Sequence, residues 1–139
     1  MALKVSTRGC IPSFMVMDVL KAANQKKLDG EAVYHLEIGQ PGTGAPSGVV
    51  EAVGSVLCSE KLGYTDAFGM SSLRRAISRH YFDYYKFDVP MERIAVTAGS
   101  SAGFVLSFLA AFDVGDRVAV ISPGSPCYRH ILQAFGITP

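Results

Sequence analysis

Gly99-Ser100-Ser101-Ala102-Gly103, within the stretch VTAGSSAGF from Val96 to Phe104, matches the pattern G-x-S-x-G. On a strand–turn–helix this pattern lifts a serine onto a sharp turn as a nucleophile. Ser101 would then need a histidine base, and a carboxylate to orient that base. In the elbow arrangement the acid and then the histidine come later in the chain. Downstream stand Asp113, Asp116 and one histidine, His130. Both acids fall in a short connection that belongs at the opposite end of a sheet from the turn. A serine hydrolase using Ser101 is therefore an alternative with badly placed partners. The same turn suits an anion. Backbone N–H groups at a helix N-terminus lack partners, and the helix dipole favours negative charge there. Gly99 allows close approach, and Ser100 and Ser101 add hydroxyl donors. The nucleotide signatures G-x-x-x-x-G-K-[ST] and G-x-G-x-x-G are absent. An ordinary turn with a serine N-cap accounts for the same residues just as well.

The elements around this turn follow from periodicity. Residues 12–28 read as a helix, with Val16, Val19, Leu20 and Ala23 on one face, Pro12 early and Lys26 and Lys27 in the last turn. Gly30 lies where a stop is expected. AVYHLEI, 32–38, alternates as a short strand, and the Gly/Pro-rich 39–48 is a loop. Residues 48–58 form a helix with Val49, Val53 and Val56 aligned. After an irregular stretch at 61–70, Ser71 or Ser72 caps a helix striped by Leu73, Ala76, Ile77, His80, Tyr81 and Tyr84. RIAVT, 93–97, is a strand, 101–112 an apolar helix and DVGD, 113–116, a tight connection. RVAVI, 117–121, lacks alternation, as a strand buried on both faces does. The loop 122–126 leads to a helix over 127–135. This βαβα order predicts an α/β fold with a partial, mainly parallel sheet and flanking helices.

Composition narrows the classes. The 139 residues are 49% hydrophobic and 18% charged with a net charge of +1, which provides for a core and excludes a disordered chain. No run of one sign marks a nucleic-acid or membrane-surface binder. No apolar run reaches the roughly 18 residues of a membrane span. The N-terminal MALKVSTRGCIPSF lacks a signal peptide's apolar core. Cys10, Cys58 and Cys127 are too widely spaced for a disulfide framework or a zinc site, which fits a cytoplasmic protein. Mean hydropathy is +0.26, high enough that some surface should face a partner or further sequence.

LEIGQP at 36–41, GYTDAFGMSSLRRAI at 63–77 and TAGSSAGFVLSFLAAFDVGDRVAVISPGSPCYRHI at 97–131 carry a resemblance in their order and spacing. From about Ile11 to Pro139 the chain resembles the N-terminal third of a class I/II aminotransferase, a pyridoxal-phosphate-dependent enzyme of the aspartate aminotransferase fold. The resemblance implies an N-terminal arm and small-domain segment over 1–46, and an incomplete cofactor-binding large domain over 47–139. It implies transfer of an amino group between an amino acid and a 2-oxo acid, in a homodimer.

The resemblance also assigns residues. Gly99, Ser100 and Ser101 would cradle the phosphate of pyridoxal 5′-phosphate, which makes Ser101 an anchor. Tyr64 would reach across a dimer interface to the neighbour's phosphate. Gly39 would lie against the substrate carboxylate. The family places a stacking aromatic where this chain has Ser125, in Pro123-Gly124-Ser125-Pro126. Serine cannot stack, so Tyr128 is expected to lean into the gap. Arg74 and Arg75 match helix-surface or structural positions. His35, His80 and His130 are expected to be structural, and Glu37 and Asp66 to be solvated or capping groups. The family's cofactor-linking lysine, its acid against the pyridine nitrogen and its substrate-clamping arginine all lie beyond the matched region. Lys4, Lys21, Lys26, Lys27, Lys61 and Lys86 do not stand in that lysine's context. The 139 residues are thus expected to be inactive alone, with core surface exposed and a sheet edge unpaired. A non-catalytic remnant remains as a third reading.

Overall fold

The computed structural model describes residues 3–139; of the N-terminal stretch, Met1 and Ala2 lie outside the described residues. Helices dominate them: α1 Met15–Leu28, α2 Ser47–Ser59, α3 Ser71–Tyr85, α4 Ser100–Ala111 and α5 Pro126–Ala134. Short 3-10 turns occupy Thr7–Gly9 and Met91–Arg93. None of these helices is long and apolar enough to cross a membrane.

Local chemistry sets the helix ends. Helix α1 opens where the Met17 N–H reaches the Phe14 carbonyl at 2.8 Å, so Pro12 stands before the helix and not inside its first turn as expected. The serine cap expected for α3 does not form. Met70 is its N-cap and makes no side-chain cap bond, because Gly69 turns the chain at φ 91 and Ser71 is already helical. At α5 the cap is made: the Ser125 hydroxyl accepts from the Cys127 N–H, and Pro126 sits at the first position, where no N–H is needed.

The partial parallel sheet is not present among the described residues. Their strand-type pairing is one isolated parallel bridge, Arg117 with Thr138. A β-branched run states which side chains favour a pleated surface, but its N–H and C=O groups still need a neighbour about 4.8 Å away. In 93–97 those groups go elsewhere. Arg93 belongs to a 3-10 turn, the Ile94 N–H bonds Met91, and the Val96 N–H bonds Phe68 at 3.0 Å. Residues 32–38 form no strand, and 117–121 is not buried on both faces, since Ile121 is 88% exposed.

The chain divides into two compact units, Met1–Gln40 with Ser100–Pro139, and Pro41–Gly99. In the first, Leu132 is fully buried and Ile137 nearly so, and the Ile137 N–H bonds the Leu132 carbonyl at 3.0 Å. Val118 donates to Thr138, and Thr138 to Asp116, which ties the chain end beside 116–118. Phe14 meets His130 edge-on at 6.1 Å between centroids.

In the second unit Arg74 of α3 is the tie. Its guanidinium donates to the carbonyls of Met91 (2.6 and 3.1 Å) and Ile94 (2.9 Å) and lies over the Phe68 ring. Arginine's planar fork suits two carbonyls at once. The structural role expected of Arg74 is therefore this clamp.

Accessible surface totals 11860 Å². A folded monomer of this 14.9 kDa mass exposes about 7,000 Å². The difference shows in the helices: Val49, Val53 and Val56 keep their helical spacing on α2, yet each is 39–52% exposed. On α4, Leu106 and Leu109 stand open as well.

Candidate functional site

Gly99 is the last residue of the second unit, and Ser100 begins the C-terminal segment of the first. Before α4, the Gly99 N–H bonds the Thr97 carbonyl and the Thr97 hydroxyl donates back to the Gly99 carbonyl, each at 2.8 Å. These bonds hold Gly99 at φ 83, where a β-carbon would be strained although it would meet open space. Then α4 begins. The N–H groups of Ser100, Ser101 and Ala102 fall in its first turn and have no intrahelical acceptor. Ser100 and Ser101 add hydroxyls, and no acidic residue stands in that turn. Unpaired amides, hydroxyls and the positive end of a 12-residue helix are the donor set of a phosphate, and they fit one.

A second helix start lies beside this one in the same unit. Ser101 Oγ and Cys127 Sγ are 3.6 Å apart, so the first turns of α4 and α5 meet. Ser125 caps α5, and neither first turn carries an acid. The Tyr128 ring packs edge-on against Phe104 of α4, with centroids 4.7 Å apart and planes at 72°. The α4–α5 pair thus gathers Ser101, Ser125 and Tyr128, with Ser100 adjoining in sequence. Gly39 belongs to the same unit, and a β-carbon there would meet open space. Tyr64 belongs to the other unit. It is fully exposed on the wall of a cleft of about 490 Å³ shared with Val56, Leu62, Asp66 and Met70.

No triad is assembled around Ser101 among the described residues. Its polar neighbour is a thiol. His130 packs on Phe14, and Asp116 accepts the Asp113 N–H at 2.8 Å within their own turn. The hydrolase alternative lacks both its base and its orienting acid.

His35 and Glu37 make a pair the sequence did not suggest, with Nδ1 2.6 Å from Oε1. That hydrogen bond, helped by backbone N–H groups and the charge of His35, holds the Glu37 carboxyl below the ordinary glutamate value of 4.5. The folded chain therefore favours the carboxylate. The resulting stability is present above 4.5 and is lost as pH falls through the lowered value. Carboxyl titration followed by NMR should place Glu37 below 4.5, and His35→Phe should move it back up.

One residue escaped the sequence reading. Cys127 stood there only as a free thiol, and its neighbour Ser101 lies 26 positions away. Arg74 was expected to be structural, but its carbonyl partners, 17 and 20 residues on, had no local mark. The one signal available was Cys127's place directly after Ser125-Pro126, in the first turn of a capped helix.

The comparisons with known proteins agree on one family. The family model described as aminotransferase class I and II matches residues 31–139. The chain is similar to the valine–pyruvate aminotransferase of Mycobacterium tuberculosis, with 46% identity over 134 residues, 96% of this chain and 34% of that protein. It is 38% identical, over 91% of its length, to the (5-formylfuran-3-yl)methyl phosphate transaminase of Methanocaldococcus jannaschii, covering 34% of that protein. Its backbone matches the crystal structure of an aminotransferase from Mycobacterium tuberculosis with a TM-score of 0.93 and 43% identity, over 99% of this chain and 35% of that one. The chain spans about a third of the length of the relatives it matches.

Proposed function

The chain belongs to the class I and II aminotransferase family, and from that premise we propose that it forms the N-terminal, cofactor-phosphate-holding part of an aminotransferase acting on an amino acid and a 2-oxo acid. The observation that carries this reading is the donor set at the start of α4, inside the region matching the family model. In this reading Gly99, Ser100 and Ser101 hold the phosphate of pyridoxal 5′-phosphate. When bound, that cofactor supplies an electron sink for amino-group transfer. The protein's part here is orientation: N–H and O–H groups fix the phosphate, and the phosphate fixes where the ring lies.

The remaining roles follow the same premise. Tyr128, held against Phe104, flanks the ring where Ser125 offers no aromatic face. Gly39 receives the substrate carboxylate. Tyr64 serves a partner subunit's phosphate in a homodimer, a role supported by its full exposure. In the same reading 93–97 and 117–121 would serve as strands of a parallel sheet, with residues 1–46 in the small domain and 47–139 in the large one. The groups that bond the cofactor and clamp the substrate come from outside these 139 residues.

The test needs no catalysis. The full chain is titrated with pyridoxine 5′-phosphate and with pyridoxine, neither of which bears an aldehyde that could react with surface lysines. The phosphate ester should bind at least about tenfold more tightly, the worth of one charge-assisted hydrogen bond. Equal affinities would remove the reading. A fluorophosphonate should leave Ser101 unlabelled, and labelling there would restore the hydrolase.

A further inference from the structure

Ser101 is the hydroxyl on which the phosphate reading leans most, and nothing in its own helix fixes it. A serine in a first turn can rotate among three wells or bond backbone nearby. Here its oxygen sits 3.6 Å from Cys127 Sγ. Cys127 is itself held. Its N–H donates to the Ser125 hydroxyl at 3.4 Å, Pro126 before it fixes the backbone, and it is half-buried where Cys10 and Cys58 are exposed. The following residue, Tyr128, packs on Phe104 of α4, which keeps the two helix starts together. Ser125, Cys127 and Ser101 therefore form a short relay between the first turns of α5 and α4.

We propose that Cys127 is a positioning residue for the phosphate anchor. Its S–H donates to Ser101 Oγ, so the Ser101 O–H is left to point outward from the α4 N-terminus as a donor to the phosphate. A hydroxyl can accept one hydrogen bond and donate another at the same time, and a thiol is a weak but sufficient donor. The inference rests on the reading that Ser101 anchors the phosphate. It adds that the anchor's orientation is set from α5, by a thiol open to chemical modification.

Full chains carrying Cys127→Val, Cys127→Ser or neither are titrated with pyridoxine 5′-phosphate and with pyridoxine, with helicity checked by circular dichroism. Cys127→Val should weaken the phosphate ester roughly three- to tenfold, the loss of one oriented hydrogen bond. Pyridoxine affinity should not move. Cys127→Ser, which keeps a donor, should return the phosphate ester to within about twofold of the unaltered chain. In the unaltered chain, saturating pyridoxine 5′-phosphate should slow alkylation of Cys127 by iodoacetamide and leave Cys10 and Cys58 unchanged. Unaltered phosphate-ester affinity in Cys127→Val overturns the positioning role while the phosphate reading stands. So does an equal loss for both ligands without rescue by serine, or alkylation of Cys127 that the ester does not slow. Failure of the unaltered chain to prefer the phosphate ester overturns the phosphate reading, and this inference with it.

Discussion

Ser101→Asp is expected to weaken pyridoxine 5′-phosphate binding by at least about a hundredfold, because a carboxylate about 4 Å from a phosphate charge costs roughly 4 kcal/mol at the effective dielectric of a protein surface. The same change should leave the fold as stable as before, or firmer by roughly 0.3–1 kcal/mol, since a negative side chain in a first turn complements the helix dipole. Ligand and helix thus respond in opposite directions to one substitution. The introduced carboxylate would be the one acidic group in a first turn that now has none. The measurement is a pair of titrations, one of ligand and one of denaturant, at two salt concentrations. Added salt should recover part of the lost affinity, because the penalty at this exposed turn is screened. Unchanged phosphate-ester affinity in Ser101→Asp would show that the phosphate does not bind at the start of α4.

Gly69→Ala should be the most damaging single-methyl change to the unit Pro41–Gly99. A β-carbon at Gly69 would lie 2.7 Å from Val96 Cβ and 2.8 Å from its Cγ2. Val96 cannot easily retreat, because its N–H is bonded to the Phe68 carbonyl next door, and Phe68 lies under the Arg74 guanidinium. Gly69 also sits at φ 91, which L residues rarely adopt. The backbone part costs roughly 1–2 kcal/mol and the overpacking roughly 1–3, for a total of about 2–5 kcal/mol. Gly99→Ala provides the comparison, since φ 83 there costs the backbone part while its β-carbon would meet open space. Denaturant unfolding followed by helical circular dichroism checks both. A Gly69→Ala chain no less stable than Gly99→Ala would refute the clash with Val96.

The helices were legible in the sequence because their apolar stripes and stop signals are local. Helix α4 starts one residue earlier than its pattern suggested, and α1 three residues later. Pro12 has the right φ for a helix start, but the first helical bond waits for Phe14. The sheet was not legible in the same sense. RIAVT and RVAVI state a preference for burial, and preference does not supply a partner strand. At the site, Gly99, Ser100 and Ser101 were readable from the turn itself. Tyr64, Gly39 and the gap at Ser125 were readable only through resemblance, because each acts on something the local sequence does not describe. The role of Cys127 and the partners of Arg74 were not readable because the groups they meet are distant in sequence and an arginine or cysteine looks the same whether engaged or free.

The unit holding α4 and α5 is built from two pieces of chain, and the whole of Pro41–Gly99 lies between them. During synthesis the first 40 residues leave the ribosome well before their companions. At 5–20 residues per second the interval from Gln40 to Ser100 lasts roughly 3–12 s. Over that time α1, with 14 residues, is at the length where an isolated helix is only marginal in water. Phe14 waits until His130 is made. The inserted unit faces no such delay, because Arg74, Phe68, Met91, Ile94 and Val96 are within one continuous run. Order of manufacture therefore favours the inserted unit folding before the unit that holds α4 and α5, which recaptures the N-terminal segment afterwards.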